Sequence, residues 1–144
     1  MKTLYIIDGN SYAYRAFYAI KPLTTKDGIE VHAVYGFYNM LLKIIKDKKP
    51  DYLFIAFDYP GPNFRHKIYD EYKIQREKMP ESRQAQMRII REIAAAGNIR
   101  VIEESGYEAD DIIAAAAYEA AGAGNKVVIL SSDKDMIQLV NKDI

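Results

Sequence analysis

The sequence predicts an α/β fold, a mainly parallel sheet with helices on both faces. Three observations carry this. Short runs rich in β-branched and aromatic residues alternate with longer segments of helical periodicity. Three of the four short runs are almost continuously apolar, as strands covered on both sides must be. The chain has 144 residues, 49% of them hydrophobic and 28% charged, enough for one domain with a buried core.

Taken in order, TLYIID (3–8) opens as a strand and ends in Asp8. A helix follows directly and carries Arg15. HAVYGFYNMLLKIIKD (32–47) places Val34, Phe37, Leu41, Ile44 and Ile45 at helical spacing, with Pro50 as its stop. DYLFIAFD (51–58) is the second strand and ends in Asp58. Tyr59 to Pro80 fits no core helix; Pro60, Gly61, Pro62 and Pro80 surround a basic, tyrosine-bearing segment that reads as a protruding loop or arch standing outside the cleft. ESRQAQMRIIREIAAAG (81–97) lines up Met87, Ile90, Ile93 and Ala94, and Gly97 is its expected C-cap. IRVIEE (99–104) is the third strand. Residues 108–121 form a helix closed by Gly122 and Gly124, KVVILSSD (126–133) is the last strand, and KDMIQLV (134–140) is a short helix. No internal repeat, low-complexity tract or linker interrupts the pattern.

Composition narrows the function classes. There is no cysteine, which excludes disulfides and thiolate metal sites. The apolar run in MKTLYIIDGN is too short for a signal peptide or a membrane span, so a soluble cytoplasmic protein with no membrane partner is expected. The net charge of zero conceals an asymmetry. Arg65 to Arg91 holds eight Lys/Arg against four acids, whereas Val101 to Ile144 holds three Lys against nine acids. A basic stretch suits a polyanion and an acidic one suits cations.

The acids fall where chemistry would want them. Asp8, Asp58 and Asp133 each end a strand, and the third strand feeds into Glu108, Asp110 and Asp111 at the start of a helix; Asp135 lies two residues past Asp133. In open α/β sheets, ligands bind beyond the carboxyl ends of the strands. Seven carboxylates delivered to one edge repel one another unless hard divalent cations sit among them. Two such ions about 3.5–4 Å apart is the arrangement used for in-line phosphoryl chemistry. Singly, each motif has an ordinary explanation. Asp110 and Asp111 complement a helix dipole, Ser131, Ser132 or Asp133 caps the last helix, and Asp8-Gly9-Asn10 makes a turn. Their convergence on one edge outweighs those explanations.

IDGNSYAYRAFYA (7–19), FD (57–58), FRHKIYDEYKIQR (64–76), GYEADDIIA (106–114) and SSDKDMIQLV (131–140) resemble, in order and spacing, the 5′-nuclease domain of bacterial DNA polymerase I, within the flap endonuclease family of PIN-like fold. The resemblance implies metal-dependent hydrolysis of DNA near a 5′ end or flap, with Mg²⁺ or Mn²⁺ and two ions in the complete family site. It implies that Asp8, Asp58, Glu108 and Asp110 surround one ion and that Asp111, Asp133 and Asp135 lie toward the second. Lys73 and Arg76 would contact the scissile phosphate, Tyr72 would stack on a displaced base, and Arg15, Phe64 and Arg65 would complete the DNA contacts, Phe64 with the alternative of anchoring the arch base. His32 and His66 match no family ligand and are expected to be ordinary surface residues.

The family continues past the position of Ile144 into a helix-hairpin-helix module, with further aspartates for the second metal site and, in the polymerases, a polymerase. The expectation is therefore an N-terminal PIN-like part, residues 1–144, with its arch at about 60–80 and the C-terminal module absent. On that expectation the second metal site is incomplete, structure-specific duplex recognition is largely lost and catalysis is impaired. Three rival readings stand beside it: a PIN-type ribonuclease, with RNA as substrate; a non-catalytic nucleic-acid-binding fragment; and a phosphoacceptor receiver domain, which has no use for the surplus acids.

Overall fold

The computed structural model describes residues 1–74 and 77–144. In chain order it forms β1 (Thr3–Asp8), α1 (Gly9–Ala19), α2 (His32–Lys48), β2 (Tyr52–Ala56), α3 (Phe64–Ile68), α4 (Glu81–Ala96), β3 (Arg100–Ile102), α5 (Ala109–Gly122) and β4 (Lys126–Leu130), then a 3₁₀ helix (Lys134–Leu139). The described strands make one sheet of order β3-β2-β1-β4, parallel at every pairing. The register sets Asp8 level with Ala56, and Ala56 level with Ile102. All four strands thus deliver the chain to the same edge. β3 is shorter than residues 99–104, because Glu103 and Glu104 are exposed and leave the sheet.

The two-residue period of the strands divides the core. Ile7, Ile55 and Phe57 face α1, α2 and α4 through Ala13, Phe37, Leu41, Met87 and Ile90. Ile6, Phe54, Ala56 and Val127 face the opposite layer, where Ala109, Ile113 and Ala117 form the buried stripe of α5. Of the four successive alanines at 114–117, Ala117 belongs to that stripe, Ala114 and Ala116 pack partly against it, and Ala115 is exposed. At the junction of β1 and α1 there is no loop. A Cβ on Gly9 would lie 2.5 Å from Phe57 Cε1 and 2.8 Å from Ile55 Cγ2, so only glycine lets strand pass straight into helix there.

The N-terminus of α2 has no side-chain cap of its own. Gln86 on α4, completely buried, supplies one: its Oε1 accepts from the backbone N–H of Ala33 at 2.6 Å and of Val34 at 3.4 Å. A helix start leaves orphan N–H groups, and here a neighbouring helix satisfies two of them. Ser82, four residues earlier on α4, donates to Glu30, so α4 is pinned to the α2 entry at two points.

Three expectations need correction. His32 is buried at 3% exposure, because it opens α2 where Phe17 and Gln86 cover it, its ring centroid 4.8 Å from that of Phe17. His66 is half-buried, and its Nδ1 accepts from the Asn63 N–H at 3.1 Å. Gly97 caps α4 as expected, at φ −82°, and the left-handed residue is Asn98 at φ +56°. The 59–80 stretch does not stand clear of the cleft. It contains α3, and Arg65, Tyr72 and Lys73 fold back onto Glu108. Among the described residues no helix is long and apolar enough to cross a membrane.

Replacing Gln86 with Met keeps the bulk and removes the acceptor. Two buried N–H groups then lack partners, and the variant is expected to lose about 1–3 kcal/mol of stability, read from the shift of its urea unfolding midpoint.

Candidate metal centre

A cleft of about 380 Å³ opens at the carboxyl edge of the sheet. Asp8 from β1, Asp58 beyond β2, Glu108 and Asp110 at the start of α5, and Asp133 beyond β4 line it, together with Asn10, Ser11, Tyr14, Lys73, Arg83 and Ser132. The structure thus brings five of the seven expected acids together. Asp135 is exposed on the 3₁₀ helix and does not line the cleft. Asp111 is turned elsewhere. Arg76 lies outside the described residues.

Asp8, Asp58 and Asp133 are each held by a backbone N–H group at the start of a helix. Asp8 caps α1, accepting from Ser11 N at 3.1 Å, and its other oxygen accepts from Ser131 Oγ at 2.6 Å. Asp58 accepts from Ala109 N at 2.7 Å, which caps α5 from a different strand, while its own N–H donates to Asn10 Oδ1 at 2.8 Å. Asp133 caps the 3₁₀ helix through Asp135 N at 2.9 Å. Capping and clustering are therefore one arrangement: helix starts supply the donors and the favourable dipole that let the carboxylates gather. Ser11 and Ser132, hydrogen-bonded through their hydroxyls, tie α1 to the β4 exit.

Glu108 is buried and crowded by donors. Asn63 Nδ2 donates to it at 3.0 Å, Arg65 Nη1 at 3.2 Å and Tyr72 OH at 3.3 Å, and Lys73 forms an ion pair with it. Arg65 also holds Asp111 through two hydrogen bonds, at 2.7 and 2.9 Å, while Asp111 accepts from the Glu108 N–H at 2.9 Å. In the structure the fork of the Arg65 guanidinium engages the Asp111 carboxylate, so Asp111 faces α3 and is not among the residues that line the cleft. Phe64 anchors the arch base: its N–H donates to Gly106 O at 2.8 Å and its ring lies 5.8 Å from that of Tyr107. Gly106, at φ +84°, makes the turn that allows this. Arg15 is exposed on α1 and does not line the cleft.

The electrostatics follow the geometry. Burial raises the Asp8 carboxyl above the ordinary range, against the pull of its bonds to Ser131 and Ser11. Asp110 is pushed up to about 6, first by burial and then by the charges of Asp8, Asp133, Asp58 and Glu108. Arg65 holds Asp111 below its ordinary value. The negative charge left uncompensated is thus concentrated around Asp110. The donors are all oxygen, which suits a hard divalent cation. Among the described residues no three of these acids converge closely enough to hold an ion by themselves. Mg²⁺ needs only one or two direct carboxylates and fills its remaining positions with water.

Sequence reading missed Asn63, Ser11 and Arg83, and it read Asn10 and Ser131 only as turn and cap residues. Asn10 and Ser11 stood within the DGNS motif and Ser131 within SSDKD. Arg83 carried no signal, since its place at the cleft depends on how α4 packs.

The family described as 5′-3′ exonuclease, N-terminal resolvase-like domain, matches residues 3–144. A 5′-3′ exonuclease of Aquifex aeolicus is 46% identical over 144 residues, all of this chain and 50% of that protein. DNA polymerase I of Caldicellulosiruptor bescii is 45% identical over 141 residues, 98% of this chain and 17% of the polymerase. The chain thus spans half or less of the length of these curated relatives. Among solved structures, the T5 D15 protein co-crystallised with metal ions matches with a TM-score of 0.72 at 17% identity, over 99% of this chain and 53% of that one, and shares the fold.

A double-mutant cycle of Arg65→Ala and Asp111→Ala should give a coupling energy of about 0.5–3 kcal/mol in urea unfolding. Strict additivity would mean that the pair does not form in solution. Asp110 sets a pH dependence. Its folded-state pKa, about 6, lies above its ordinary 3.8, so the folded protein holds this proton more tightly than the unfolded chain. Stability therefore falls as pH rises through that window. In chelator, Asp110→Asn should be more stable than the parent above pH 6 and should lose its advantage below pH 4, as measured by chemical unfolding at each pH.

Proposed function

This chain belongs to the family of 5′-3′ exonuclease N-terminal, resolvase-like domains, and from that premise we propose that it carries the acidic site of a divalent-metal-dependent 5′ nuclease that hydrolyses DNA phosphodiesters near 5′ ends or flaps. The observation that carries this reading is the meeting of Asp8, Asp58, Glu108, Asp110 and Asp133 in one cleft with Lys73 at its wall. Mg²⁺ or Mn²⁺ ions are the proposed cofactors, two of them in the full site. Asp8, Asp58, Glu108 and Asp110 would hold one, and Asp133 would lie toward the other. Such ions, when bound, lower the pKa of water and stabilise charge on a leaving oxygen.

The remaining work falls to the chain's own groups. Ser131 and the Ser11 N–H fix both oxygens of Asp8, and Ala109 N fixes Asp58, so these carboxylates cannot swing away from the cleft. Lys73 stands on Glu108, where an entering phosphate would compete for its ammonium. Arg76 is proposed as a second phosphate contact. Tyr72, whose ring packs edge-on against His66 at 5.4 Å, is the proposed stacking surface for an unpaired base. The name of the polymerase relative supports DNA over RNA as substrate.

The test is cleavage of 5′-labelled flap DNA, and of its RNA counterpart, with Mg²⁺, with Mn²⁺ and with chelator. Asp8→Asn and Asp110→Asn serve as controls, and calorimetry follows metal binding. The expected result is metal-dependent cutting of the DNA, reduced at least about 10²-fold by either variant, the scale of losing one electrostatic stabiliser. Cutting that persists in chelator, or a protein that binds neither metal, would refute the proposal.

A further inference from the structure

The cations around the cleft are not equivalent. Arg65 and Lys73 are engaged with Glu108 and Asp111, and Arg91 with Glu103. Arg83, in the first turns of α4, also lines the cleft. Among the described residues it has no hydrogen bond or ion pair, and its Nε is shielded from solvent without a partner. It is seated on two tyrosines of α1. The guanidinium carbon lies 5.0 Å from the ring centroid of Tyr14 and 5.9 Å from that of Tyr18. The two rings are 4.7 Å apart and tilted by 51°, and both are more than half exposed.

We propose that Arg83 binds the phosphodiester backbone of a single nucleic-acid strand as it enters the acidic cleft, with Tyr14 and Tyr18 as the seat that holds its guanidinium in place. The inference rests on the nuclease reading of the same cleft and adds a binding residue to it. A cleft walled by five carboxylates repels a polyanion, so the strand needs a cation the acids have not already claimed. The aromatic seat favours a guanidinium over an ammonium, since the planar group stacks and keeps its edge N–H groups for an anion. Gln86 and Ser82 pin α4 to the start of α2, which fixes the backbone on which Arg83 sits.

The experiment measures binding of fluorescein-labelled oligothymidylate to the 144-residue chain in Ca²⁺ buffer across a salt series, with Mn²⁺ affinity followed separately by calorimetry. Arg83→Gln is expected to weaken oligonucleotide binding about tenfold, the loss of one charge-assisted contact. It should lower the steepness of the salt dependence by about 0.7, as for one phosphate contact on a single strand. Mn²⁺ affinity should not fall, and Arg83→Lys should recover part of the binding. Equal oligonucleotide affinity in parent and Arg83→Gln would overturn the proposal while leaving the nuclease reading intact. A tightened Mn²⁺ affinity with unchanged oligonucleotide binding would overturn it too, and would make Arg83 a counter-charge to the acids. Failure of the parent to bind the oligonucleotide, together with failure to cut flap DNA, would remove both readings.

Discussion

Carboxylates gathered in one cleft repel one another, and much of this domain is organised by how that repulsion is contained. Parallel strands bring Asp8, Asp58 and Asp133 to a common edge, where α1, α5 and the 3₁₀ helix begin. Helix starts offer unpaired N–H groups and the positive end of a dipole, so an acid placed there meets a donor as well as its neighbours. Asp8 and Asp133 cap the helices that follow them, and Asp58 caps one that follows a different strand. The compensation is incomplete. Asp110, among four other carboxylates, keeps its proton up to about pH 6, which marks where a divalent cation would be most strongly favoured.

The arch segment supplies the rest of the positive charge. Arg65 binds Asp111 and Glu108 together, and Asn63 and Lys73 complete the shell around Glu108. One short basic stretch therefore has a structural role at its base and presents Lys73 at the cleft further along. Phe64 and Gly106 join that base to the turn before α5, so movement of the arch and placement of Glu108 are mechanically linked.

On the other side of the cleft, α4 forms a wall whose position depends on a buried amide. Gln86 caps α2 from outside it, and the same helix carries Met87 into the core and Arg83 to the cleft. Stability and cleft geometry share a helix there, through contacts more than fifty residues apart in sequence.

Much was legible in the sequence because it was local or periodic. Continuous apolar runs marked buried parallel strands, helical spacing marked α2 and α4, and acids at strand ends marked the functional edge. The sequence alone determined the fold class, the family and the placement of most acids, since these follow from order along the chain. Tertiary structure decided which acids remain in the cleft. Asp110 and Asp111 are adjacent, yet successive helix positions point about 100° apart, so one faces the cleft and the other faces Arg65. It also buried His32, folded the arch inward and brought Arg83 onto Tyr14 and Tyr18. Each of those outcomes depends on how helices pack across the sheet, a relation between residues distant in sequence that no local pattern encodes.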